Sequence, residues 1–433
     1  MKKLIILFLL PGLILSAQMK KEDVKSFSLG NGMKVLVLED HSIPNANMYL
    51  FWKVGSRNEN LGITGLSHFF EHMMFNGAKK YGPKMLDKYM EAAGGSNNAS
   101  TSQDLTIYTD WFPKDALEKI FDIEADRIAN LSFDDKMIES ERGVVHSEYT
   151  TGIENNPSEL LDQQVLSTAF FAHPYKWSVI GYESDILGWK KEDLVNYFKT
   201  YYAPNNCLVV IVGDVNFENV KALAIKYFEP IPGNVPPPKI RTTEPPQLGE
   251  KRIVVKKDVS TPNLMIAYHV PEASNPDYYA LDILGSILTS GNSSRLRKTL
   301  VFDKQLAISI NGGMEMTLDP FLFSFYAVAA RNVTPETIEK AIYDELEKIK
   351  NNGVDEQELQ KIKNQELMQF YRGIETINGK ASLLGRYSLF FGDYTRLFDA
   401  PQYYSKVTSD DLKRMVATYF TPENRTVGVL IKK

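Results

Sequence analysis

Asp258-Val259-Ser260-Thr261-Pro262-Asn263 repeats the pattern of Asp40-His41-Ser42-Ile43-Pro44-Asn45, and the two prolines lie 218 positions apart (262 − 44). Phe420-Thr421-Pro422-Glu423-Asn424 stands to Tyr202-Ala203-Pro204-Asn205-Asn206 at the same distance (422 − 204 = 218). One spacing that holds at both ends of a unit of roughly 200 residues marks a duplicated domain. A chain of 433 residues is also too long for one ordinary core. Between the copies, Pro230 to Pro246 carries seven prolines and reads as a linker. The expected organisation is a leader at 1–17, a first domain at 22–229, the linker at 230–248 and a second, homologous domain at 249–433.

Each copy mixes strands and helices. Met33 to Asp40 alternates like a strand after the turn Gly30-Asn31-Gly32, and Asn45 to Val54 reads as its successor. Ala116 to Asn130 has helical period, and a second helix is expected from Asp134 to Tyr149. Strand pairs joined by short turns precede helices, so the fold class is α+β with largely antiparallel sheets. Ser96-Asn97-Asn98-Ala99-Ser100-Thr101 is polar. It is either an exposed edge strand able to pair with an extended peptide or a plain turn, and composition does not choose between them.

Hydrophobic residues at 43% and charged residues at 24% describe a folded chain, neither disordered nor membrane-embedded. A net charge of −5 gives no reason to expect nucleic acid as a partner. The single cysteine, Cys207, excludes an intramolecular disulfide, and beside Leu208-Val209-Val210 it reads as a buried strand residue. Lys2-Lys3, the apolar run Leu4 to Leu15 and the small residues Ser16-Ala17 form a secretory signal peptide pattern. The run is about twelve residues, short of the roughly 20 needed to span a bilayer. A periplasmic or secreted mature chain without a stable membrane span follows, if the source is Gram-negative.

The chemistry concentrates in His68-Phe69-Phe70-Glu71-His72. On a helix the two histidines share one face, one turn apart, so both rings can reach one metal ion. Glu71 lies on the same side but offset, placed to take a proton from an activated water without being a ligand. H-x-x-E-H is the inverted zinc-protease motif, and a third ligand has to come from elsewhere. The bland alternative is an apolar helix whose histidines are merely hydrogen-bonded. On the expected helix Asp134 to Tyr149, Glu141 and Glu148 lie two turns apart on one face, and Glu148 is the candidate third ligand. A helical Glu is by default a solvated charge, and only the His pair singles these two out. His146 lies about 200° around that helix from Glu148 and is expected to face away. His41, His173 and His269 read as loop or strand residues.

These residues together resemble the pitrilysin/insulysin family, which includes the mitochondrial processing peptidases. The match runs from about Phe27 to the C-terminus. The family's Glu ligand follows the second His by about 76 residues, as Glu148 follows His72 (148 − 72). Its surroundings resemble Glu141-Arg142-Gly143-Val144-Val145-His146-Ser147-Glu148, and a family Asn-Ala-x-Thr segment resembles Asn98-Ala99-Ser100-Thr101. The resemblance implies that His68, His72 and Glu148 bind one Zn²⁺, that Glu71 is the general base and that Glu141 supports the site. It implies that Asn98 and Ala99 lie on an edge strand that takes up a peptide substrate, and that the two domains form half of a clamshell chamber.

One departure matters. Active single-chain members carry an Arg and, seven residues later, a Tyr in the second half. Here those places fall on Val301 and Ile308. At the duplication offset the H-x-x-E-H motif falls on Ser286-Ile287-Leu288-Thr289-Ser290, without ligands. The chain therefore resembles the metal-bearing subunit of the two-chain members. The implied function is a zinc endopeptidase acting on short or unfolded peptides, completed by a homologous subunit that lacks H-x-x-E-H and supplies Arg and Tyr, with a homodimer as a variant. The competing class is a non-catalytic peptide-binding or assembly subunit that keeps the fold.

Overall fold

A computed structural model describes residues 19–433, and the expected leader at 1–17 lies outside the described residues. One sheet is built from β1 (Val24–Ser28), β2 (Lys34–Glu39), β3 (Asn45–Trp52), β4 (Ser96–Thr101), β5 (Thr106–Pro113) and β6 (Cys207–Gly213), in the order β1-β2-β6-β3-β5-β4. The second holds β7 (Lys251–Lys257), β8 (Asn263–Val270), β9 (Ala307–Met314), β10 (Phe321–Ala329) and β11 (Arg425–Lys432), in the order β7-β11-β8-β10-β9. In each sheet one neighbouring pair is parallel, β2 with β6 and β7 with β11, and the other pairs are antiparallel.

Without β1, the two strand orders are the same. β3 and β8 begin 218 residues apart (263 − 45) and end 218 apart (270 − 52). Four helices of the first half, α1 (Leu66–Met73), α2 (Asp135–Tyr149), α3 (Pro157–Ala169) and α4 (Lys191–Tyr201), have counterparts in α5 (Tyr278–Thr289), α6 (Glu356–Gly373), α7 (Ile377–Phe390) and α8 (Ser409–Tyr419). Both ends of α4 and α8 keep the offset of 218 (409 − 191 and 419 − 201). The repeat seen at two short stretches of sequence thus runs through the whole architecture.

Strand residues alternate between faces, so an all-apolar strand needs cover on both. In β6, Cys207, Val209 and Ile211 join the cluster containing Phe69 and Phe70 of α1. Leu208, Val210 and Val212 join a cluster with Ala381, Leu384 and Tyr387 of α7, which comes from the second half. The second sheet is covered reciprocally: α5 takes one face, and α3 from the first half brings Leu161, Val165 and Leu166 against Met265, Ala267 and Leu430 on the other. Fully burying one such apolar side chain contributes about 1.5–3 kcal/mol. The halves have exchanged helices and share that burial.

Polar contacts fix the same junction. Arg57 Nη1 lies 2.6 Å from Asp319 Oδ2 and 3.1 Å from Asp104 Oδ1. Asp104 also accepts from the Tyr175 hydroxyl at 2.7 Å and from the Leu318 N–H at 3.1 Å. These bonds hold the loop after β9 against the first half. The Pro-rich linker is anchored too, because the Glu244 carboxylate accepts the N–H groups of Phe171, Ala172 and His173 at 2.6, 2.8 and 2.8 Å.

Where α7 crosses the first sheet it presents Gly385, and a Cβ there would lie 2.1 Å from the ring of Phe51, which is fully buried. Gly385→Ala is expected to destabilise the chain by about 1–3 kcal/mol through overpacking. A fall in Tm on thermal unfolding checks this.

Candidate metal centre

Leu66, Phe69, Phe70 and Met73 are buried and recur at i, i+3, i+4 and i+7, which fixes α1 against the sheet by its apolar stripe. The Tyr108 hydroxyl donates to the Phe70 carbonyl at 3.0 Å from β5 below. The opposite face then carries His68, Glu71 and His72. α2 crosses beside it and brings Glu148 to the same point.

The donor atoms of His68, His72 and Glu148 all lie within 4.8 Å of one another. His68 Nε2 and His72 Nε2 are 3.4 Å apart, and Glu148 Oε2 is 3.7 Å from the first and 3.3 Å from the second. Ligands at zinc bond lengths of about 2.0–2.2 Å in a tetrahedron sit about 3.3–3.6 Å apart. The donor set therefore fits zinc in both type and spacing. Burial, with His72 adding to it, pushes His68 down to about 4, so the ring is neutral near pH 7 and its lone pair is available. Three lone-pair donors facing one another at these distances form an arrangement that suits a divalent cation.

Glu141 lies behind His72, its Oε2 3.3 Å from His72 Nδ1. That contact holds Glu141 below the usual carboxylate range and fixes the proton on Nδ1, leaving Nε2 free to bind. For His72 the desolvation that opposes charging is outweighed by Glu141 and Glu148, and its pKa is raised. Glu71 accepts a hydrogen bond from Thr101 Oγ1 at 2.6 Å. Burial raises the Glu71 carboxyl above its ordinary value despite that bond.

The polar stretch Ser96 to Thr101 is an edge strand, β4, paired on one side only. A cavity of about 650 Å³ opens beside it, lined by His68, Glu71, Ala99, Thr101 and Glu148 among others. Ala99 thus faces the cavity, whereas Asn98 is exposed on the same edge and does not line it. Sequence reading missed the cavity's acidic wall of Glu159, Asp162 and Glu315. Burial, with Glu159 and Glu315 adding to it, pushes Asp162 up to about 7. Glu159 and Asp162 sit one turn apart on the helix after α2, a signal in principle, but Glu315 comes from the other half.

The other histidines take no part in the centre. His146 meets Glu183 at 2.8 Å, His41 meets Asp214 at 2.6 Å and His173 meets Asp319 at 3.2 Å. His269 faces the Ala169 carbonyl at 3.3 Å. In the second half Ser286 and Glu366 stand 218 residues from His68 and Glu148 (286 − 68 and 366 − 148), and Ser286 Oγ donates to Glu366 Oε1 at 2.6 Å. Ile308 is exposed on the edge strand β9, and Val301 is half-buried just before it.

Fold and site together define a class: a duplicated α+β chain whose first half carries an inverted zinc-protease motif and whose second half lacks it. The chain belongs to the M16 peptidase family. Residues 34–182 match the insulinase (peptidase family M16) domain, and residues 188–366 match the peptidase M16 inactive domain. It is 32% identical to the zinc protease PqqE of Helicobacter pylori over 417 residues, 94% of this chain and 92% of the relative. A crystal structure of a protease from Helicobacter pylori, also 32% identical, superposes with a TM-score of 0.91 over 94% of this chain and 99% of that one. The periplasmic protease PqqL of Escherichia coli shares the fold at 18% identity and a TM-score of 0.78, with 96% of this chain covering 48% of that one.

Glu141→Gln is expected to weaken zinc binding about 10–100-fold, since the Nδ1 partner of His72 loses its charge. Titration calorimetry against the unaltered chain checks it.

Proposed function

We propose that the chain is a zinc-dependent endopeptidase for short or unfolded peptides, with His68, His72 and Glu148 holding one Zn²⁺. The observation that carries this reading is the convergence of those three side chains beside Glu71, in a cavity bordered by a free edge strand. Bound zinc supplies the Lewis acidity that makes water a nucleophile near neutral pH and polarises a carbonyl. Glu71 takes a proton from the attacking water and delivers it to the leaving amine. Its raised pKa suits both transfers, and Thr101 holds it in place. The free edge of β4 pairs with the peptide backbone, giving affinity without strong sequence demands. The acidic wall of Glu159, Asp162 and Glu315 favours a basic side chain beside the cleaved bond.

Val301 and Ile308 leave the chain without the Arg and Tyr of single-chain members. A missing oxyanion donor costs ~10²–10³ in turnover, so full activity calls for a second, homologous chain that closes the chamber and supplies both. That this chain covers only 48% of a longer relative with the same fold agrees with a two-part enzyme. The same two residues favour the second reading, a non-catalytic peptide-binding subunit. The leader motif at residues 1–17 argues for a periplasmic or secreted chain, and among the described residues no helix is long and apolar enough to cross a membrane.

The test is cleavage of a quenched fluorescent peptide library by zinc-loaded chain, with and without a homologous chain lacking the motif. Cleavage is expected to rise about 10²–10³-fold with the partner and to fall about 10²–10⁴-fold in Glu71→Gln, with zinc still bound. Zinc bound without cleavage in either arm would favour the binding subunit. A rate that the partner does not change would remove the two-chain part.

Asp162→Asn is expected to raise KM for peptides with Lys or Arg near the cleaved bond and to spare neutral ones. In the unaltered chain the same preference should fade as pH falls below about 7, because protonation removes the charge that attracts the basic side chain. Steady-state kinetics on paired basic and neutral peptides checks both.

A further inference from the structure

The first-turn N–H groups of any helix need acceptors from outside it. In α1 the usual source is closed. Its N-cap is Gly65, at φ 87°, with no side chain to offer. A Cβ there would also lie 2.3 Å from the carbonyl oxygen of Ile180, so no capping residue fits. The acceptor comes instead from Glu59, six residues upstream and only 2% exposed. Its Oε2 accepts the Gly65 N–H and its Oε1 the Ser67 N–H, each at 2.7 Å.

We infer that Glu59 is a positioning residue for the metal centre: its carboxylate sets where α1 begins and thereby holds His68 opposite His72. This rests on reading His68, His72 and Glu148 as zinc ligands. The two histidines are held differently. His72 sits one turn further along and is braced from outside α1 by Glu141. His68 follows Ser67 directly, in the first turn, and its Nδ1 is buried with no hydrogen-bond partner among the described residues. With no partner for Nδ1, its placement leans on the backbone of that turn more than that of His72 does. Burial pushes the Glu59 carboxyl up to about 8 against the pull of these two N–H groups, so the task rests on two oxygens that each take one N–H rather than on a full charge at the helix start. An amide of the same shape would offer one acceptor and turn an N–H donor towards the other N–H.

A neighbouring carboxylate supplies the control. Asp185 Oδ2 accepts from the N–H groups of Gly62 and Thr64 and from the Thr64 hydroxyl, at 2.9, 3.1 and 2.7 Å. It braces the turn before α1 without touching the helix. Glu59→Gln and Asp185→Asn both remove acceptors of backbone N–H groups in one loop, the Asp185 bonds being the less buried, but only the first reaches the turn that carries His68.

The experiment measures zinc affinity by calorimetry and far-ultraviolet circular dichroism for the full chain and both variants, with a crystal structure of metal-free Glu59→Gln. The expected result is a loss of about 10–100-fold in affinity for Glu59→Gln, little change for Asp185→Asn, and a His68 to His72 Nε2 separation larger than 3.4 Å. Equal losses in the two variants, or an unaltered first turn in the crystal, would overturn the inference. If the unaltered chain binds no zinc, the peptidase reading falls, and the crystal structure still decides the role of Glu59. Should Glu59→Gln fail to fold, Glu59→Asp keeps both acceptor oxygens but is too short to span both N–H groups, and the same comparison applies.

Discussion

A sheet that is apolar on both faces has to be covered on both, and neither half of this chain covers its own sheet alone. α7 lies on the first sheet and α3 on the second, so each half supplies what the other lacks. The exchange brings the loop after β9, with Glu315, to the wall of the cavity beside the metal centre. Arg57 and Asp104 then pin that loop by charge and hydrogen bonds. A site assembled from both halves follows from how hydrophobic surface is shared between them.

The metal centre is a second layer on that frame. α1 is short and offers its apolar stripe to the sheet, which turns His68, Glu71 and His72 outwards. Around them each functional group has a specific partner: Glu141 for His72, Thr101 for Glu71, Glu59 for the turn under His68. Thr101, the hydrogen-bond partner of Glu71, is part of the edge strand proposed to receive the peptide, so the proposed base is tied directly to the proposed docking edge. Precision at this centre comes from these outer partners, which is where a loose site would first fail.

Much of this was legible in the sequence, for physical reasons. Repetition is preserved where core spacing must be, and so two short stretches disclosed an offset that β3, β8, α4 and α8 all keep. The convergence of His68, His72 and Glu148 was readable because i, i+4 spacing is a property of helices and Glu148 lay on an expected one. The choice between edge strand and turn at Ser96 to Thr101 was not readable, since polar composition suits both, and pairing with β5 decides it. Helix exchange was invisible for a related reason: an amphipathic helix shows that it has an apolar face but not which sheet it covers. Nothing in the sequence sets Glu59 or Asp162 apart from ordinary solvated charges, because burial is a property of the fold rather than of the residue.

The second half shows how the same place in the fold is held without the His pair. Glu366 still occupies the place of Glu148, and Ser286, standing where His68 stands, now donates a hydrogen bond to it. The two helices are tied there by a hydroxyl-to-carboxylate hydrogen bond, which keeps the shape without the donor set of the first half. Catalysis and architecture are thereby separable within one polypeptide. The scaffold stands with or without the motif, as the two halves of this molecule show.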